Sequence, residues 1–570
     1  MHLGTSGPNN GPKLFYDDDS RRNSGSALNL NKHQKFLTLT ALIISVGFFS
    51  LFYFFPLGKI LWYGLSPENI AMVFGARTTW KVIWFTLWQA LISTAVSLCV
   101  GILIANILSR FSFRGRGALS VLATIPFVMP TVVVASAFLS LNTIFKLEGT
   151  VFNLEGTAFG VIVAHVFFNT AIVVRTLGGW WGQLTLDPEY AARTLGAGTF
   201  KTFFLVTLPR LKPALIAAGS LTFLFTFTSF GIILILGSLK QATIETEIWR
   251  YATQRIDINT AAALGIAQLA IVVLMLVINS RLRNKYGTSE LGSIAVTNEK
   301  VYATKFRRLR LYSGVIFTVL FLGTPLALLI ERSLKTPKGY SFTYYREIFT
   351  ESQSGRFSIF ETRTAIINSI TWALLAMAIA TLLGYLAAVL LSSPSEKISK
   401  PADVLFLLPL GTSGVLLGFG IIVTLNSSFW DIRSNWWIIP IAQAILGIGL
   451  VARIVGTALR DVNPEMRNAA KVLGASDAKV WRHVDLPIIS RSLVAGASFS
   501  FAIAIGEFGA TAFLVRPQRP TIPTTIFNLL GRPGASTYGQ AMALCVVLAG
   551  ITAISISLLD RTGTVIRDAA

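Results

Sequence analysis

Two stretches, YAARTLGAGTFKTFFLVTLP at residues 190–209 and NAAKVLGASDAKVWRHVDLP at residues 468–487, lie 278 residues apart and share one skeleton. Ala191 and Ala192 align with Ala469 and Ala470, Leu195-Gly196-Ala197 with Leu473-Gly474-Ala475, and Leu208-Pro209 with Leu486-Pro487. Extended without a gap over 191–231 against 469–509, the match keeps fifteen of forty-one positions identical. Shared hydrophobicity does not reproduce spacing that closely, so the chain reads as a duplicated unit. Each copy implies a short helix carrying the alanine pair, a turn at the glycine, and a second amphipathic segment that ends where the proline breaks it. Such an elbow, lying outside a bilayer, suits a soluble docking partner. The plainer reading is a connector capped by its glycine, but a connector has no need of the same spacing twice.

What surrounds the elbows is apolar. Of 570 residues, 53% are hydrophobic and 13% charged, about half the charged share of a soluble domain. The mean hydropathy is +0.63. A transmembrane helix needs about 20 apolar residues. Runs of that kind predict spans near 36–62, 81–108, 118–143, 157–181, 213–237 and 259–280, then 312–333, 364–392, 402–425, 436–457, 491–515 and 537–559. The expected fold is an all-α polytopic membrane protein of about twelve transmembrane helices. Because six is even, the two six-helix repeats run parallel and both termini share one side.

The 49 Lys and Arg against 27 Asp and Glu give +22, which in a soluble protein would suggest nucleic acid. Here position matters more, because basic residues are retained in short cytoplasmic loops. Eight fall between Arg281 and Arg310, and Arg110, Arg114, Arg116, Lys397 and Lys400 lie on the same side. The N and C termini are therefore placed in the cytoplasm and no nucleic-acid partner is expected, although Arg516, Arg519 and Arg532 sit in outer loops. The division that follows is a flexible cytoplasmic tail at 1–35, a first unit at 36–281 with its elbow at 184–212, and a basic linker at 282–311. A second unit at 312–559 carries the elbow 460–490, and 560–570 forms a cytoplasmic tail. No short apolar stretch with a cleavage site precedes the first span, so that span is expected to remain as an anchor.

At the elbow residues the chain resembles the permease subunits of ABC importers, whose loop pattern is Glu-Ala-Ala, three residues, Gly, then Leu-Pro. Tyr190 and Asn468 stand where the family has Glu. The fused two-unit form is similar to the thiamine and ferric-iron permeases, in HVFFN at 165–169, QATIETEIWRYA at 241–252 and IGEFG at 505–509. The resemblance implies the type I permease fold, a plasma (inner) membrane location, and a passage fed by an extracytoplasmic solute-binding protein. It also implies two ATPase subunits on the cytoplasmic face, with Ala191, Ala192, Gly196, Leu208, Pro209 and Ala469, Ala470, Gly474, Leu486, Pro487 as coupling residues. The implied solute is a small nutrient such as thiamine or ferric iron.

No GxxxxGK[ST] phosphate loop occurs in the sequence, so ATP is expected to be used by partner subunits, with no cofactor in this chain and no enzymatic activity of its own. Cys99 and Cys545 lie far apart, and His2, His33, His165 and His483 are scattered, which suggests neither a disulfide nor a metal centre. An ion-gradient-driven secondary transporter is the alternative, though inverted repeats and several intramembrane carboxylates would suit it better.

Ionisable groups inside spans cost a few kcal/mol unless they face the bundle or water. Glu507, whose repeat partner is Ser229, is the main one: it either lines the passage and favours a cation, or holds packing against an arginine or polar backbone. His165 and Gln443 are repeat partners and further passage candidates. Arg175 and Arg453 read as snorkelling anchors, and Pro126 and Pro130 as a kink in the third span. The many aromatic residues are assigned to lipid-facing packing and interfacial belts.

Overall fold

The computed structural model describes residues 32–286, 305–349, 359–393, 395–424 and 435–564. Helices dominate them, with one two-stranded hairpin pairing Lys335–Thr336 with Gly339–Tyr340. Most of the N-terminal tail and the middle of the basic linker fall outside the described residues. Helices Ile258–Tyr286 and Lys305–Thr318 enter the linker from its two ends, and Ala535–Thr564 runs into the C-terminal tail.

Among the described residues ten helices are long and apolar enough to cross a membrane, five from each half. The first half supplies Leu39–Gly64, Arg77–Arg110, Ala158–Trp181, Thr199–Phe227 and Ile258–Leu282. The second supplies Leu311–Leu334, Thr362–Leu391, Ile438–Asp461, Asp477–Gly506 and Ala535–Ser555. The architecture is the expected all-α polytopic one, but the third span of each half departs from a single helix. In the first half, Arg116–Phe127 and Thr131–Ile144 meet at 107°. Pro130 forces Met129 into an extended conformation, with φ −71° and ψ 133°, and the helix cannot continue through it. In the second half Glu396–Gly411 stops at an extended Thr412 and Gly414–Thr424 begins afresh, too short to cross alone. Pro126 and Pro409 occupy the same place before each break.

The fifth spans also differ from expectation. Pro209 and Pro487 do not end the elbow's second segment, because that segment and the fifth span form one helix in each half, Thr199–Phe227 and Asp477–Gly506. A π-helical turn, Phe203–Thr207 or Trp481–Asp485, precedes each proline by two residues. The first spans repeat the device, with π turns at Ser50–Phe54 before Pro56 and Val319–Gly323 before Pro325. A proline breaks a helix through its missing N–H and its ring. A π turn changes the hydrogen-bond register at that point, so the missing donor falls where a carbonyl is already left over.

Packing follows the duplication. An added Cβ at Gly101 would strike Val173, and one at Gly384 would strike Val451. Second and fourth spans thus approach through a small residue at equivalent places, as membrane helices do without a hydrophobic drive between them. Near the elbows, Ala105, Val173, Leu177 and Leu211 form a buried cluster in one half, and Ala388, Val451, Val455 and Ile489 its counterpart in the other.

Candidate coupling elbows and passage

The elbow helices are Asp187–Thr194 and Pro464–Val472, each opened by a proline with acidic residues in the first turn, which complement the helix dipole. Both end alike. The Gly196 N–H donates to Arg193 O at 3.0 Å and the Ala197 N–H to Ala192 O at 2.9 Å; the Gly474 N–H donates to Lys471 O at 2.9 Å and the Ala475 N–H to Ala470 O at 3.0 Å. This paired 5→2 and 6→1 closure requires a left-handed residue, and both glycines have φ +83°. The alanine pair plays matching roles: Ala191 and Ala469 are exposed, whereas Ala192 and Ala470 are half-buried. Leu208-Pro209 and Leu486-Pro487 start the regular helix after each π turn.

Each elbow helix is braced to the π turn that follows it. Thr207 Oγ1 donates to Glu189 at 3.1 Å, while Arg467 Nε donates to Asp485 at 2.7 Å. The residues are repeat partners with the acid moved from the elbow helix to the π turn: Glu189 with Arg467, Thr207 with Asp485. Arg110, at the end of the second span, completes the first brace with a 2.7 Å bond to Glu189. Beyond the braces the elbows leave Leu195 and Leu473 each 87% exposed.

Ser229 and Glu507 lie where the helix breaks after each fifth span. Glu507 is buried, and its carboxylate accepts the backbone N–H groups of Ala510 at 2.6 Å and Thr511 at 3.0 Å. It thereby caps the short helix Thr511–Leu514. Of its two sequence readings, polar-backbone packing describes these contacts. The Ser229 Oγ has no hydrogen-bond partner among the described residues. The next residues, Phe230 and Phe508, touch each other across the halves with ring centroids 5.3 Å apart. Trp249 and Phe527, also repeat partners, meet at 6.1 Å, and Phe230–Trp249 and Phe508–Phe527 contacts close the square. Residues that touch their own repeat partners lie on the pseudo-two-fold axis, so these four rings are not part of a lipid-facing belt.

Trp249 and Phe527 are held by matching devices. Thr243 and Thr521 form capping boxes with Thr246 and Thr524. The N–H of Ile244 donates to Thr86 Oγ1 at 3.1 Å, and that of Ile522 to Ser369 Oγ at 2.8 Å.

His165 and Gln443 are not brought to this junction. They lie one turn before Asn169, which donates to Thr226 Oγ1 at 2.9 Å, and before Gly447, whose added Cβ would strike Ser500. Each therefore shares a face turned toward the fifth span of its own half. Both ring nitrogens of His165 and the Oε1 of Gln443 have no hydrogen-bond partner among the described residues. Arg175, read as a snorkelling anchor, is exposed and lies over the Phe499 ring of the other half at 5.5 Å.

Two buried acids, Glu245 and Glu247, were missed. Glu245 is fully buried, accepts from Gln268 Nε2 and lies beside Ser413, in the broken third span of the other half. Its signal in sequence was an acid inside a Thr-Ile-Glu-Thr capping segment whose repeat partner is Pro523.

Residues 97–286 and 359–561, more than half of the chain, match the family described as binding-protein-dependent transport system inner membrane component. The thiamine transport system permease protein of Escherichia coli K12 is 23% identical over 503 residues, spanning 86% of this chain and 91% of that one. A permease named for a 2-aminoethylphosphonate transport system in Salmonella paratyphi A is 29% identical over 261 residues, covering 44% of this chain and 94% of its own length. The sulfate transport system permease protein CysT of Escherichia coli K12 is 33% identical over 202 residues, covering 34% and 72%.

Proposed function

Because the chain belongs to the binding-protein-dependent transport system inner membrane components, we propose that it forms both halves of the passage of an ABC importer, each elbow receiving one ATPase subunit. The observation that carries this reading is the elbow built twice, with the same glycine conformation and a side-chain brace at the same repeat positions. Exposed Leu195 and Leu473, with Val472 beside the second, supply apolar anchors on the elbows, the chemistry that fills a pocket on a partner. Since each elbow segment continues unbroken into a fifth span, displacement at the ATPase face is carried to the break at Ser229 or Glu507 and to the rings beside it. Those rings close the passage on the axis, and an extracytoplasmic binding protein delivers solute above them. The basic loops support a cytoplasmic position for both termini, at the inner membrane. Thiamine, named for a relative that spans most of the chain, is the first solute to test. Family membership lends nothing to an ion-gradient mechanism.

Site-directed crosslinking tests the docking. Leu195→Cys and Leu473→Cys, introduced separately, are each expected to link to one copy of the cognate ATPase bearing a single cysteine at its docking face. The double variant is expected to link to two. An elbow cysteine that labels freely and never links contradicts the reading.

A further inference from the structure

The duplication supplies an internal control for every buried polar residue, because the other half shows what the fold alone needs at that place. Landmarks shared by the halves set the register: the π turns and prolines of the first spans, Pro126 with Pro409, and Ala261–Leu264 with Ala541–Leu544. Tyr53, bonded to Thr412, corresponds to the fully buried Leu322. Gln268 corresponds to the fully buried Leu548. Glu245 and Ser413 correspond to Pro523 and Pro130. One version of this junction is thus built from Leu322, Leu548, Pro523 and Pro130, and its pseudo-symmetric counterpart from an acid, an amide and hydroxyls, so the polar set is not required by folding.

That set is also incompletely satisfied. Glu245 Oε2 and Gln268 Oε1 are buried acceptors with no partner among the described residues, and such groups are expensive to leave unpaired. On the same helix Glu247 is paired with Arg250, whereas Glu245 has only Gln268 and Ser413. Glu507 approaches the same hinge from the other side, since a Cβ added to Gly414 would lie 2.6 Å from its Oε1. Trp249 stands one helical turn beyond Glu245 on the same face, and its ring and that of Phe508 both belong to the square on the axis. Unpaired carboxylate oxygen beside aromatic faces is the chemistry that recognises organic cations.

We propose that the junction of Glu245, Gln268 and the axial rings is a recognition site for the positive charge of a small organic cation, an inference that rests on the importer reading and names its class of solute. Glu245 Oε2 and Gln268 Oε1 face the charge, and Trp249 and Phe508 supply the ring faces.

The test uses the purified full-length chain in nanodiscs. Its thermal midpoint is measured in thiamine, choline or tetramethylammonium chloride against sodium chloride at equal ionic strength. At saturating probe at least one organic cation is expected to raise the midpoint by about 2 °C. Glu245→Gln is expected to abolish the rise. Gln268→Leu, which installs the residue that the other half folds with, is expected to reduce it at least threefold and serves if the first variant fails to fold. No rise with any organic cation in the wild type overturns the proposal, and so does an equal rise in wild type and both variants. Crosslinking at the elbows is independent of this outcome, so failure here leaves the ATPase reading standing.

Discussion

Glu507 accepts two backbone N–H groups of the segment that follows it, and those bonds make it part of the break after the fifth span. A glutamine in its place keeps the size but offers one acceptor oxygen and turns an amide toward the second N–H. Loss of one charge-assisted bond at a buried site is worth about 1.5–3 kcal/mol. Glu507→Gln is therefore expected to lower the thermal midpoint of the purified protein, with uptake falling in proportion to the folded fraction. An unchanged midpoint with lost uptake would move Glu507 from capping to solute contact. Arg175 adds a contact that sequence does not reveal: its exposed guanidinium lies over Phe499, a residue distant in sequence.

At the level of elements, the elbows were legible because a left-handed glycine and a following helix leave fixed spacing in sequence. Their continuity with the fifth spans was not. Pro209 reads as a stop, since proline ends ordinary α-helices, and the π turn that absorbs it adds one residue without altering composition. The third spans were legible only in part: Pro126 and Pro130 read as a kink in one, while the break at Thr412 in the other was hidden because its apolar content is that of a continuous helix. The π turns make a prediction of their own. Pro209→Ala restores a donor and lets Phe203–Thr207 relax to α-helix, which turns the elbow by about 100° relative to the fifth span. Membrane abundance should stay normal while ATPase retention, read by co-purification, falls at least several-fold. Retention at the wild-type level would show that the register of the π turn does not set the elbow's orientation.

For the whole molecule, duplication and membrane class could be read from hydropathy and the self-match, because both are periodic along the chain. Contacts between halves could not, since nothing in the pattern says that Phe230 meets Phe508 or that Glu245 reaches Ser413. The two halves share an axis of rings but differ in the polar groups beside it, so the mechanical parts are symmetric and the recognition chemistry is not. The central claim is that ATPase motion enters through two equivalent elbows. Its most direct test is solute-stimulated ATP hydrolysis in vesicles holding the full chain, its cognate ATPase and its binding protein, compared among wild type, Gly196→Val, Gly474→Val and the double variant. A β-branched residue at φ +83° costs about 1 kcal/mol or more locally, enough to tilt the elbow while the spans stay folded. Each single variant is predicted to lose at least half of the stimulation and the double variant all of it, at normal membrane abundance; wild-type stimulation in the double variant would contradict the claim.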